Sequence, residues 1–381
     1  MAIYHWLQLK RKLEEYIMWP FIQWGRWQAK NNPLPQEYDL FAFVPDFALG
    51  GAEKVHAEVL ACFPDKQIML FFTRRSANDK MLHLFQQSQV QFEDISRWTD
   101  NKAAYWQNLI WRGRCAAYIN VQQKKPVIFN GQCNFAYKLL PHLRKDILNG
   151  ELIHVSERRF SQITFPYLPF IGKRVMVADQ IIKEISSYYK EIGAPAELEK
   201  RIVKIFYKCD IPETLPARTY EGALKVYYAG RGGYQKRIHL IVAVARACYR
   251  LQLPVEFHFA GDISHELPED LLAFSTYHGK IEGGAAMNRF HQQMDILLMT
   301  SLFEGFPLLI MEAMSNGVLP VSTAVSGIPE HIHSGENGFL LTATEEDEIV
   351  QQAVDVLKNL CSNREQLRQL AVSARQYAAS H

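Results

Sequence analysis

Short apolar runs separated by longer mixed stretches dominate this chain. Runs at 39–44, 67–72, 90–95, 127–130, 152–155 and 174–178 have the length of strands. Near-continuous apolar runs of this kind are expected of parallel strands buried on both faces. Helical periodicity fills most intervals between them, which predicts an α/β fold with a parallel sheet. The alternation resumes at 223–228, 255–260 and 295–299, so a second α/β domain is expected. A chain of 381 residues is long enough for two domains. Segment 202–212, IVKIFYKCDIP, reads as the hinge, giving domains at 37–210 and 211–381.

Residues 1–36 stand apart. Trp6, Leu9, Leu13, Ile17, Trp24 and Trp27 recur at roughly helical spacing, with Lys10, Arg11, Lys12, Arg26 and Lys30 among them. Pro20 should kink or divide this helix. Trp and basic residues suit a lipid headgroup region, and the alternative is a helix packed on the protein's own flank. Residues 31–36, NNPLPQ, read as a linker. After 345 the pattern is helical to 379, and the sequence ends two residues later, at His381.

Composition narrows the classes little. Hydrophobic residues at 48% and charged residues at 22% make an ordinary soluble balance. A net charge of +2 does not call for a nucleic-acid partner. Six scattered cysteines without C-x-x-C argue against a disulfide framework or zinc site and for a reducing cytosol. No run of about 18 apolar residues would span a bilayer. The first residues lack a signal peptide's apolar core and cleavage site. Dibasic pairs at Arg74-Arg75, Lys124-Lys125, Arg158-Arg159 and Lys173-Arg174 suggest an anionic lipid surface.

The candidate chemistry lies between Ser301 and Leu341. After the strand at 295–299 comes a loop to Phe306, then Pro307 at a first helical position and Leu308 onward as an apolar helix. Phe306 as N-cap offers no oxygen to the orphan N–H groups, so a phosphate is a natural acceptor there. Glu312, about one turn in, needs donors or water. A ribose diol would supply two. Glu304 and Gly305 lie in the loop before the helix.

Glu304 and Glu312, followed by Gly327-Ile-Pro-Glu330 and Gly335-Glu-Asn-Gly338, resemble the donor half of retaining glycosyltransferases of family four. That resemblance implies the GT-B fold, two Rossmann-like domains facing each other across a cleft. It implies Glu304 at the donor sugar and Glu312 at the ribose, with Gly305, Phe306, Pro307 and Leu308 around the donor phosphates. The family's Gly-Gly-Ala-Glu turn is Gly50-Gly51-Ala52-Glu53 here, and its histidine near the sugar falls on His154. Its Arg and Lys on the diphosphate fall on Arg231 and Lys236. Lys280 and Ile281 lie where the family holds the base. Where a Pro-Asn-Gly turn is common at the hinge, this chain has Phe206-Tyr-Lys-Cys209.

Arg158 and Arg159 are candidates for an acceptor phosphate. No Asp-x-Asp occurs, which fits Arg231 and Lys236 stabilising the departing diphosphate without a metal. The expectation is a cytoplasmic, retaining, metal-independent transferase with no cofactor beyond a nucleotide-sugar co-substrate, more commonly UDP-linked than GDP-linked. Attachment to the inner face of the cytoplasmic membrane stays open. The acceptor would be a glycan or lipid-linked glycan, such as a lipopolysaccharide core. Two rivals stand beside it: a UDP-sugar epimerase or hydrolase on the same fold, and a non-enzymatic nucleotide-binding relative.

Overall fold

The computed structural model describes residues 3–48, 50–155, 158–206, 209–216, 218–281, 284–305 and 308–381, without the side chains of residues 159 and 160. The chain divides into two compact units, the first ending at Ile205 and the second starting at Phe206. The expected boundary at 210 lies five residues beyond that division. Residues Ile202–Lys204, read as hinge, form an edge strand of the first unit.

Seven parallel strands build the first sheet: β1 (Leu40–Val44), β2 (Ile68–Phe72), β3 (Val90–Asp94), β4 (Val127–Asn130), β5 (Leu148–Ile153), β6 (Lys173–Met176) and β7 (Ile202–Lys204). Their order is β3-β2-β1-β4-β5-β6-β7. The second sheet has six: β8 (Leu224–Ala229), β9 (Val255–Ala260), β10 (Ser275–Tyr277), β11 (Ile296–Met299), β12 (Leu319–Thr323) and β13 (Phe339–Leu341). Its order is β10-β9-β8-β11-β12-β13. Each is a doubly wound Rossmann-like sheet whose order reverses beside its first strand, at β1/β4 and at β8/β11.

The strand sequences explain the layers. Every residue of β1, LFAFV, and β2, IMLFF, is buried. Alternate residues serve opposite faces: Phe41, Phe43, Met69 and Phe71 join one core, and Leu40, Ala42, Val44, Ile68, Leu70 and Phe72 the other. The second unit has its own core, built from β8, β9, β11 and β12 with the helices on one face. Strand β5 starts four residues earlier than expected, because Asn149 and Gly150 interrupt the apolar run.

The helices used below are α1 (Ile3–Asn31), α2 (Gly51–Ala61), α3 (Tyr105–Asn120), α4 (Arg158–Thr164), α5 (Asp179–Ile192), α6 (Ile238–Arg250), α7 (Leu308–Ser315), α8 (Glu346–Ser362) and α9 (Arg364–Ser380). The expected helix over 345–379 is two helices. Asn363 separates them, and its Oδ1 accepts the Gln366 N–H at 3.1 Å as the N-cap of α9.

Pro20 does not divide α1, which runs from Ile3 to Asn31 as one helix. Packing against α3 explains its persistence. A Cβ on Gly25 would lie 1.9 Å from the Ile110 carbonyl oxygen, and one on Gly113 would lie 2.0 Å from that of Ile22. Two glycines thus let the two backbones touch. The buried residues of α1 are Tyr4, Arg11, Ile22, Gly25 and Ala29. The Trp-rich stripe is not the face that meets the flank: Trp6, Leu9, Leu13, Ile17, Trp24 and Trp27 are all exposed.

One of the dibasic pairs loses a cation to the interior. Arg174 is buried and ion-paired with Glu151, with the Tyr189 hydroxyl also bonded to it. Arg74 pairs with Asp46 at 3.1 Å, Lys125 with Asp146 at 3.1 Å, and Arg158 with Glu191. Each of these pairs has at least one cation answered by an acid of the first unit.

Candidate active site

In the second unit the loops after β8 and β11 leave the sheet side by side, at the point where strand order reverses. Neighbouring strands β8, β9 and β10 bring their ends together. The Gly230 N–H donates to the Ala260 carbonyl at 3.0 Å, and the Gly261 N–H to that of Gly279 at 2.8 Å. Gly261 has φ +124°, and a Cβ there would lie 1.7 Å from the Gly230 carbonyl oxygen. Only glycine allows that approach.

Several bonds then fix the 231–237 loop. The Tyr228 hydroxyl donates to the Arg231 carbonyl at 2.8 Å, and the Gly233 N–H donates to Glu266 at 2.6 Å. A Cβ on Gly232 would lie 1.9 Å from that Glu266 oxygen. Arg237 opens α6 at φ +47° with a buried side chain. Its Nε donates to the Thr300 carbonyl at 2.7 Å and its guanidinium to that of Ser301 at 3.2 Å. The Leu302 N–H donates back to the Gln235 carbonyl at 2.8 Å, and the Gln235 amide to that of Phe303 at 2.8 Å.

This stitching brings Lys236 and Glu304 together as an ion pair through Nζ and Oε1. Both are largely buried, with side chains 15% and 8% exposed. The Glu304 N–H donates to Ser326 Oγ at 3.1 Å, and Ser326 itself has φ +50°. The Gly327 N–H reaches the Gly305 carbonyl at 3.3 Å, so the GIP segment supports the loop from below. Arg231 is exposed beside them in sequence, at the outer part of the same loop.

Helix α7 begins at Leu308, and Phe306 and Pro307 lie outside the described residues. Glu312 is its fifth residue and is half-buried. It lies near Tyr227, whose phenol is held well above its usual pKa by burial first and by the Glu312 carboxylate second. The Tyr227 hydroxyl is bonded to His291 Nδ1 at 2.5 Å. Lys280 and Ile281 follow β10, half-buried, next to the Gly279 carbonyl that Gly261 uses. His278 just before them stacks on His258, with ring centroids 5.2 Å apart.

In the first unit, Gly50 caps α2 in an extended conformation and Gly51 is its first residue. Both therefore stand at the β1 end of the sheet, next to the switch point. His154 follows β5 directly. Its Nε2 lies 2.8 Å from Nε2 of His56 on α2, so the two rings share one N–H. Burial lowers the His154 pKa to about 4. Burial, and then the neighbouring His154, push His56 well below its usual value. A Cβ on Gly131 would lie 2.7 Å from the His56 ring, so glycine there makes room for it. Gln132, at φ +56°, accepts the His154 N–H at 3.2 Å and donates to the Val155 carbonyl at 3.2 Å.

Arg158 stands at the start of α4, exposed, ion-paired with Glu191 and 5.7 Å from the Tyr188 ring centroid. The Arg159 side chain lies outside the described residues. The sequence reading did not single out Arg237, Ser326, His56 or Gln132. Ser326 lay next to a motif, just ahead of Gly327-Ile-Pro-Glu330. A cavity of about 500 Å³ in the second unit, lined by Arg218, Arg368 and Arg375, lies at the far, C-terminal side of α7. Arg218 uses its guanidinium there on the carbonyls of His291, Asn316 and Gly317.

Residues 223–359 match the family Glycosyl transferases group 1. The match holds β8 to β13 and with them Arg231, Lys236, Glu304 and Glu312. The match lies wholly within the second unit. N-acetyl-alpha-D-glucosaminyl L-malate synthase of Bacillus anthracis is 38% identical over 65 residues. Those residues are 17% of this chain and 17% of that synthase, so the chain matches about a sixth of its length. Solved structures carry the likeness across both units. Anabaena HepE, in complex with UDP and glucose, superposes with a TM-score of 0.69 at 15% identity, covering 90% of this chain and 94% of that one. The lipopolysaccharide outer core galactosyltransferase WaaB, in apo form, gives 0.61 at 20% identity, with 90% and 98% covered. The two Rossmann-like units are those of the GT-B fold.

Proposed function

We propose that this chain transfers a sugar from a nucleoside diphosphate sugar, UDP-linked, to a glycan or lipid-linked glycan acceptor. The observation that carries the reading is the Lys236–Glu304 pair, held at the β8/β11 switch point beside the start of α7. Open α/β sheets bind ligands at such a point. An ammonium has three donors, so Lys236 can serve phosphate oxygens as well as Glu304. Arg231, on the same loop, adds a guanidinium suited to phosphate. Glu304 in turn accepts a sugar hydroxyl, and Glu312 on α7 the ribose.

Charge on the leaving diphosphate grows in the transition state, and two fixed cations stabilise it without a divalent ion. We assign the transfer as retaining on the resemblance of the donor half. UDP is favoured by HepE and by the pneumococcal O-GlcNAc transferase GtfA, both of which hold UDP in their structures. A lipopolysaccharide acceptor is supported by the likeness to WaaB.

A donor panel tests the reading. UDP-sugars should raise the melting temperature and UDP should bind by calorimetry, with GDP weaker. Activity should survive EDTA; loss restored by magnesium or manganese would sink the metal-free assignment. Sugar nucleotide consumed without any acceptor would favour the epimerase or hydrolase instead.

A further inference from the structure

Helix α1 meets the rest of the first unit through Tyr4, Arg11, Ile22, Gly25 and Ala29. The opposite side of the same helix has an unusual composition. Every exposed residue between 3 and 30 is apolar, aromatic, proline, histidine or lysine. Ile17 is 74% exposed, Trp27 62% and Leu13 60%. A solvated helix face carries acids and amides instead. The two acids of α1, Glu14 and Glu15, are half-buried and already paired, with Lys10 at 3.8 Å and with Arg11. The aromatic face continues onto α3, where Trp106 stacks on Trp24 at 6.4 Å between centroids.

From this arrangement we infer that α1 is a membrane-docking helix, lying in the plane of an anionic lipid surface with Trp6, Leu13, Ile17, Trp24 and Trp27 inserted. Charge decides between a bilayer and a second copy of the chain. Lys12 and Lys30 edge the apolar face with Lys10, whose charge is shared with Glu14 at 3.8 Å. Two copies meeting face to face would set lysine against lysine. Anionic headgroups supply the missing counter-charge, and indole rings settle at the headgroup level. No described helix is long and apolar enough to cross a membrane, so the helix lies along the surface. The glycine seam with α3 fixes its orientation, which leaves the outward face presented before any lipid is met.

Co-sedimentation of the full chain with phosphatidylcholine vesicles, with and without phosphatidylglycerol, tests this. Binding should appear with the anionic vesicles, shift tryptophan emission to the blue and weaken as salt rises. Leu13→Ser with Ile17→Ser and Trp24→Ser should lower the affinity at least tenfold. Lys10→Gln with Lys12→Gln and Lys30→Gln should abolish the preference for anionic vesicles. Should a variant fail to fold, quenching of wild-type tryptophans by brominated lipid gives the same answer. No binding by the folded wild type, or binding the serine variant retains, overturns the inference. So does a wild-type dimer that the serine variant breaks. The inference does not rest on the donor reading, and UDP affinity should be equal in all variants.

Discussion

Lys236 and Glu304 illustrate why a charged residue needs a double test. Replacing Lys236 alone leaves the Glu304 carboxylate buried without its partner, a cost of about 3–5 kcal/mol for such a pair. Loss of activity could then be loss of folding. Lys236→Met should lower turnover by roughly 10²–10³-fold if the ammonium stabilises the leaving diphosphate. Adding Glu304→Gln should recover much of the melting temperature and none of the turnover. Recovered turnover in the double variant would show that the pair is only structural. The family resemblance singled out both residues in the sequence. Their contact was not readable, because it depends on Arg237 tying two loops that lie more than sixty residues apart in sequence.

His154 carries a prediction of a different kind. It and His56 are neutral in the folded chain, with His154 titrating near 4. An unfolded histidine titrates near 6.5, so between those values the unfolded chain binds more protons. Stability is therefore intact above about pH 6.5 and falls as pH drops toward 4, by about 1.4 kcal/mol per pH unit for each proton taken up. Urea melts of the wild type and His56→Gln at pH 7.5, 6 and 5 should show a shallower loss in the variant. Equal slopes would mean that other histidines, His142 and His258 among them, dominate the acid response.

Helices pose the question of which face does what. The α1 periodicity was legible from Trp6 to Trp27, yet apolar residues do not by themselves say which side faces the protein. Gly25 and Gly113 answer that, by allowing backbone contact that larger residues forbid. Gly113→Ala gives the trade-off a number. Alanine gains about 1 kcal/mol of helix propensity over glycine. Its Cβ would meet the Ile22 carbonyl at 2.0 Å, a backbone atom that cannot rotate away. Overpacking of this sort costs about 1–3 kcal/mol or more, so the net effect is destabilising. Leu13→Ser, on the outer face of α1, should move the melt of the lipid-free chain by no more than about 0.5 kcal/mol. Strands were easier to read. Runs such as LFAFV and IMLFF are apolar throughout because both faces of a parallel strand are covered. Strand β5 was mis-started for the converse reason, since polar Asn149 uses its side chain to bond the Gly172 N–H and the Phe170 carbonyl.

At the scale of the whole molecule, the alternation of runs predicted two parallel α/β sheets, and the strand orders agree. Among the described residues, the three apolar clusters named above each lie within one unit. Stability should then be divided as the cores are. Scanning calorimetry of the full chain should resolve two transitions, or one broadened envelope of two. UDP binds through residues of the second unit in the proposed function. At a hundred times its dissociation constant it should stabilise that unit by about 2.7 kcal/mol. Gly113→Ala, in the first unit, should lower the other transition. Adding UDP to the Gly113→Ala variant should therefore widen the gap between the two. A single transition that shifts as a whole under either perturbation would show that the units unfold as one, and the division of stability by core would be wrong.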